Sequence, residues 1–236
     1  MIKLFDKRRV GFALLLIVLF VFNFGNIISY ADDSKSDTEV STFFIDFANK
    51  AFTNIDTLHV TNQEGEDVTN YFIDKTENLF KQNDYKAIQD LIVNEKLVPS
   101  IENSVVSKTN NDIMRSSRTQ YCYEIITNSY NLQGQVQSWQ VLLSGTITYN
   151  PNTGQIYSSS SPAFSLYSTS GINPQLTAEL KSVSAGYQIL TSKVRYYATY
   201  TLEVYVGGYI EGMDLPILKM ISFGSNLAQF YAYPDY

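Results

Sequence analysis

The chain has 236 residues, with 17 Lys and Arg against 23 Asp and Glu, a net charge of −6, one Cys and one His. A single Cys excludes an internal disulfide. With only one His beside it, a structural zinc site of four N or S donors is excluded too, no cofactor is expected, and the acidic balance argues against nucleic acid as a partner.

Lys3, Lys7, Arg8 and Arg9 precede an uncharged stretch from Val10 to Ala31, whose densely apolar part runs from Phe12 to Phe22. A spanning helix needs about 20 predominantly apolar residues. Here Asn23, Gly25 and Asn26 cut the run short, and Ser29, Tyr30 and Ala31 follow. That basic–apolar–small order is that of a secretory signal peptide, with the cut expected between Ala31 and Asp32. If uncleaved, residues 10–31 would be a retained anchor and the one contact with membrane. Basic residues stay cytoplasmic, so the rest is expected to be secreted or held on the extracellular face of the envelope. An exported chain this poor in Cys is in keeping with a Gram-positive bacterium.

Residues 32–103 hold 15 acids and 6 bases, whereas 104–236 hold seven of each. This shift separates an acidic helical region, 32–99, from a linker at 100–118 and an antiparallel β domain at 119–236. In the first region Val40, Phe43, Phe44, Phe47, Ala48, Ala51 and Ile55 fall on one helical face. Ser36 and Glu39 fit a capping box in front of it. Leu58–Thr61 reads as a strand or the end of that helix, and "NQEGED" as a turn. Asp67 is expected to cap a second helix with Val68, Tyr71, Phe72, Leu79 and Phe80 inward. Asp84 is expected to cap a third with Ala87, Ile88, Leu91 and Ile92 inward, closed by Pro99.

Beyond the linker the period changes from 3.6 to 2. "TQYCYEIITNSY", "VQSWQVLLSGTITY" and "QIYSSSS" read as a meander of strands, with Gly145 a bulge or close-approach point and "NPNTG" a turn. The stretch 172–190 opens with a short helix at Pro174 or forms another strand. "KVRYYATYTLEVYV" is the longest strand candidate, "GG" at 207–208 turns it, and "LAQFYAYPDY" closes the chain. The fold class is therefore α+β: a small N-terminal helical part followed by an antiparallel β-sandwich or barrel-like domain.

Candidate chemistry is sparse. The order His59 then Cys122 resembles sortases, exported transpeptidases, and would imply a Cys-dependent hydrolase or transferase. "RTQYCYE" lacks that family's Thr-Leu-x-Thr-Cys, however, and the next Arg after Cys122 is Arg195. Glu64, Glu66 and Asp67 around Gly65 lack the order of a calcium loop, so no metal is expected. The acids of the β region, Asp112, Glu124, Glu179, Glu203, Glu211, Asp214 and Asp235, show no pairing that would mark a glycosidase.

The unusual feature is tyrosine, 18 residues of the chain. In 194–206, alternate residues Val194, Tyr196, Ala198, Tyr200, Leu202, Val204 and Val206 form a core face. Arg195, Tyr197, Thr199, Thr201, Glu203 and Tyr205 form a polar aromatic face. Tyr197, Tyr205 and Glu203 are thus the candidate binding residues, because an exposed tyrosine joins a large apolar area to a polar tip. The function expected is a secreted or envelope-associated non-catalytic binding or structural protein, using this surface toward an extracellular protein or carbohydrate. One alternative is a pore-forming or toxin-like protein inserting "SGTITYNPNTGQIYSSSS" as a hairpin; the other is the Cys122/His59 hydrolase.

Overall fold

The computed structural model describes residues 40–104, 116–132, 134–172, 176–206 and 219–235. The presequence, the Ser36/Glu39 capping pair, Pro174, the turn at 207–208 and the acids Asp112, Glu211 and Asp214 lie outside the described residues.

Three helices open the described chain: α1 (Thr42–Thr53), α2 (Thr69–Lys81) and α3 (Tyr85–Asn94). Each carries its apolar residues at helical spacing. Phe44, Phe47, Ala48 and Ala51 of α1, Phe72 of α2, and Ile88, Ile92 and Val93 of α3 are buried. Asp84 caps α3 as the sequence predicts, accepting from Ala87 N at 3.0 Å. Asp67 acts one residue earlier than a true cap: it accepts from Thr69 N, while Val68 takes the cap position. Tyr71 departs from the predicted inward stripe. It is 42% exposed, and its hydroxyl donates to Glu95.

Among the described residues, nine strands form two sheets. Sheet A holds β1 (Leu58–Thr61), β2 (Val98–Ser104), β3 (Ser116–Leu132) and β4 (Gln135–Tyr149) in that order. The second edge of β4 is shared by β5 (Ile156–Ser159) and β6 (Ala163–Gly171). Sheet B is the antiparallel meander β7 (Leu176–Ile189), β8 (Val194–Val206) and β9 (Lys219–Ala232). The stretch that reads as helix or strand at 172–190 is thus strand over 176–189.

Residues 100–104 and 116–118, read from the sequence as the ends of a linker, are strand. They pair in register, Ser104 with Ser116 through Ser100 with Gln120. Pro99 closes no helix; it sits in β2 opposite Val60. Strand Leu58–Thr61 pairs with β2, so both sequence regions contribute to sheet A.

Alternation explains the layering, because neighbouring residues of a strand point to opposite faces. On β4, Trp139, Val141, Leu143, Ile147 and Tyr149 pack against Val194, Tyr196, Ala198, Tyr200, Leu202 and Val204 of β8 in one core. The opposite face of sheet A, with Leu58, Val60, Ile101 and Tyr121, packs under the helices in a second core. The described residues therefore form an α+β sandwich with helices on the outer side of the larger sheet. Gly145 is a close-approach point: a Cβ there would lie 2.6 Å from the Tyr196 ring. Tyr196 donates its hydroxyl to Thr146 O at 2.9 Å and, with its one proton so committed, accepts from Ser159 Oγ.

Candidate functional site

The outer face of sheet B is solvent-facing, and its two ends differ chemically. At one end Lys193, Arg195 and Tyr197 line up along the start of β8. Arg195 pairs across the ladder with Tyr231 and Tyr197 with Gln229, and continuing the register sets Lys193 beside Tyr233. The result is a two-column array of cations, rings and an amide. Lys193 Nζ lies 4.2 Å from the centroid of Tyr231 and 5.5 Å from that of Tyr233. The Arg195 guanidinium lies 5.4 Å from the Tyr197 ring and donates through Nη2 to Gln229 Oε1 at 2.6 Å. A cation over a ring face is attracted by the ring quadrupole, by about 0.5–1 kcal/mol at exposed sites. Tyr231 is 42% exposed and Tyr233 56%.

Three local features hold this array. The turn before β8 is closed by Leu190 N donating to Lys193 O. Gly186 of β7 lies opposite Tyr197, whose ring covers it; a Cβ at 186 would meet Tyr197 Oη at 2.7 Å. The segment after β9 is pinned to sheet A. Gln120 donates to Tyr233 O and accepts from Asp235 N, while Tyr149 donates to Asp235 O at 2.5 Å. Asp235 directs its own carboxylate to Thr61 Oγ1 at 3.2 Å.

A cleft of about 520 Å³ adjoins the array, lined in part by Lys96, Tyr123, Glu124, Tyr231 and Tyr233. It runs where β3, past its last pair with β2 at Gln120, faces β9.

At the other end, Tyr205 donates to Glu203 Oε2 at 2.9 Å, and Lys181 pairs with Glu179 at 2.7 Å. Glu179 is held below the usual carboxylate range by its hydrogen bond and charge pair with Lys181. The hydrogen bond to Glu203 raises the Tyr205 hydroxyl. Tyr197 and Tyr205 share a face, but eight strand residues, about 26 Å at 3.3 Å each, separate them. The structure therefore splits the three sequence-predicted binding residues: Tyr197 joins the cationic array, whereas Tyr205 and Glu203 bond to each other at the acidic end.

Cys122 and His59 stand on β3 and β1 with β2 between them. Cys122 Sγ faces the sandwich core, 3.8 Å from Gln120 O, and burial pushes its thiol up. A thiol raised by burial holds less of the nucleophilic thiolate, not more. His59 Nε2 lies 3.7 Å from Glu102, which also pairs with Arg118 at 2.9 Å. In the "NQEGED" turn, Asn62 donates to Glu66 Oε2 and Asp67 accepts from Thr69 N, so both carboxylates serve local structure. In the hairpin considered for membrane insertion, Ile147 and Tyr149 belong to the sandwich core. Among the described residues, no helix is long and apolar enough to cross a membrane.

Lys193, Gln229, Tyr231 and Tyr233 are the site residues that sequence reasoning missed. Alternation in "LAQFYAYPDY" carries the signal: Ala228, Phe230 and Ala232 fall on one face, and Gln229 and Tyr231 on the other. The register against β8, which brings the cations onto the rings, is carried by no such pattern. Compared with protein-family models, curated proteins and solved structures, the chain matches none.

Proposed function

We propose that this protein is an exported, non-catalytic binding protein whose sandwich presents Lys193, Arg195, Tyr197, Tyr231 and Tyr233 to an extracellular protein or carbohydrate. One observation carries this reading. In a chain with an acidic surplus, Lys193 lies against the exposed Tyr231 ring and Arg195 against the half-buried Tyr197 ring, and neither cation forms an ion pair with a carboxylate among the described residues. Rings, guanidinium and amide at one surface make a recognition set: they offer apolar area and directed donors at small conformational cost. They hold no nucleophile and no paired carboxylates, so they support binding rather than turnover.

Two experiments test the two halves of this reading. The intact mass of the protein from the medium and from the cell pellet should show loss of residues 1–31 or their retention at the membrane; full-length protein in the cytosol contradicts export. Glycan and peptide arrays should yield a ligand whose binding falls at least about tenfold in the Tyr231→Ala/Tyr233→Ala double variant, in line with aromatic hot spots. Binding that ignores this substitution contradicts the surface assignment.

A further inference from the structure

Resting on that binding reading, we infer that the ligand is an acidic polysaccharide, a linear sugar polymer bearing carboxylates, laid across the outer face of sheet B over the Lys193–Arg195–Tyr197 row and the facing Tyr233–Tyr231–Gln229 row.

The charge pattern of the surface is the first argument. On the outer face of sheet B the acids, Glu179 and Glu203, lie at the far end, and Glu179 is already paired with Lys181. Glu203 is eight strand residues from Arg195, about 26 Å. The Debye length at physiological salt is about 8 Å, so these acids do not cancel the field of the cations. Glu124 lines the neighbouring cleft, where Lys96 also stands. Asp235, near in sequence, is turned to Thr61. The array therefore offers a local positive site on an acidic protein.

The rings and amides are the second argument. A sugar ring stacks its C–H face on an aromatic ring while its hydroxyls meet amides and phenols. Tyr231 and Tyr233 are exposed for this, Gln188 pairs with Arg195 across the ladder, and Gln229, opposite Tyr197, accepts from Arg195 diagonally. Arg195 turns its Nε and Nη2 side to Gln229 Oε1, which leaves the Nη1 and Nη2 side of its planar fork for a carboxylate. An acidic peptide would satisfy the cations and leave the rings without a partner of their own shape. A planar anionic membrane would meet the overall negative charge of the chain as well as this patch, and long-range repulsion would oppose it. A single polymer strand needs only the patch.

Isothermal titration of the protein with polygalacturonate tests the inference, with dextran, poly-glutamate and phosphatidylglycerol-containing vesicles as comparators. Polygalacturonate should bind, and added salt should weaken it. Lys193→Ala, Arg195→Ala and Tyr231→Ala should each reduce affinity about tenfold, the scale of one charge-assisted or stacking contact. Glu203→Gln, at the far end, should leave binding unchanged. Poly-glutamate or vesicles binding as tightly as polygalacturonate would overturn the inference in favour of charge alone. If polygalacturonate does not bind, but a ligand found on the arrays does and needs Tyr231, the acidic polysaccharide falls and the binding surface stands. If no ligand responds to Tyr231→Ala or Arg195→Ala, both fall. Unchanged circular dichroism of each variant shows that a loss is not unfolding.

Discussion

Tyrosine does two jobs in this protein, and burial decides which. Tyr121, Tyr149, Tyr196 and Tyr200 are almost wholly buried, and each hydroxyl is bonded. Tyr200 accepts from Trp139 Nε1 at 3.0 Å and from Asn128 Nδ2 at 2.7 Å. Tyr200→Phe would leave two donors unmet and should cost about 1–3 kcal/mol in denaturant unfolding; a change below about 0.5 kcal/mol would show that those donors find other partners. Tyr197, Tyr231 and Tyr233 instead keep solvent-facing area. Alternation on β8 made this division legible for Tyr196 and Tyr200 against Tyr197. It could not be read for Tyr121 and Tyr123, because the face of β3 that carries them is buried by helices that the sequence does not place over it.

Gly145 gives a second residue-scale test. The sequence leaves it as a bulge or a close approach, and the Tyr196 ring chooses the latter. The ring is fixed by Thr146 O and Ser159, so it cannot swing away freely. Gly145→Ala should destabilise by about 1–3 kcal/mol, the usual cost of overpacking a core. A neutral Gly145→Ala in thermal melts would mean that the two sheets can part locally.

At the scale of elements, local chemistry was well written where one side chain meets its own turn. Asp84 at the start of α3 is such a case. Asp84→Ala should cost about 1 kcal/mol by removing the acceptor for Ala87 N; an unchanged unfolding midpoint would show that tertiary packing alone fixes that end. Pairing was less legible. β1 and β2 are short and flanked by helices and acids, so Leu58–Thr61 reads either as strand or as a helix end and 100–104 as linker, yet both extend sheet A. β7 hides its strand character because its ladder with β8 slips at Ser182, which takes a left-handed φ of 52°. Register is a tertiary property: that Arg195 faces Tyr231, rather than its neighbour, follows from how β8 and β9 meet, not from either strand alone.

For the whole molecule, the buried tyrosines set an alkaline limit. Burial pushes Tyr121 and Tyr149 up to about 12, from an ordinary value of about 10. The folded state thus holds these protons more tightly than the unfolded chain. Their contribution is fully present below about pH 10 and is lost as pH rises through about 12. For Tyr121 it is on the order of 3 kcal/mol. The unfolding midpoint should fall steeply between about pH 10 and pH 12, and a flat midpoint over that window would contradict the burial of these hydroxyls. Below that limit the two cores set a rigid frame, and the polar face of sheet B is what the frame presents.

The proposed binding runs through the cationic tyrosine end of this face and not through its acidic end. Nuclear magnetic resonance of tyrosine-ring-labelled protein, titrated with galacturonate oligomers, tests it most directly. The ring signals of Tyr197, Tyr231 and Tyr233 should move in proportion to occupancy, while those of Tyr205 and of Tyr157, exposed on β5 of sheet A, should stay still. Movement confined to Tyr205, or no movement of Tyr231 at saturating oligomer, would contradict it.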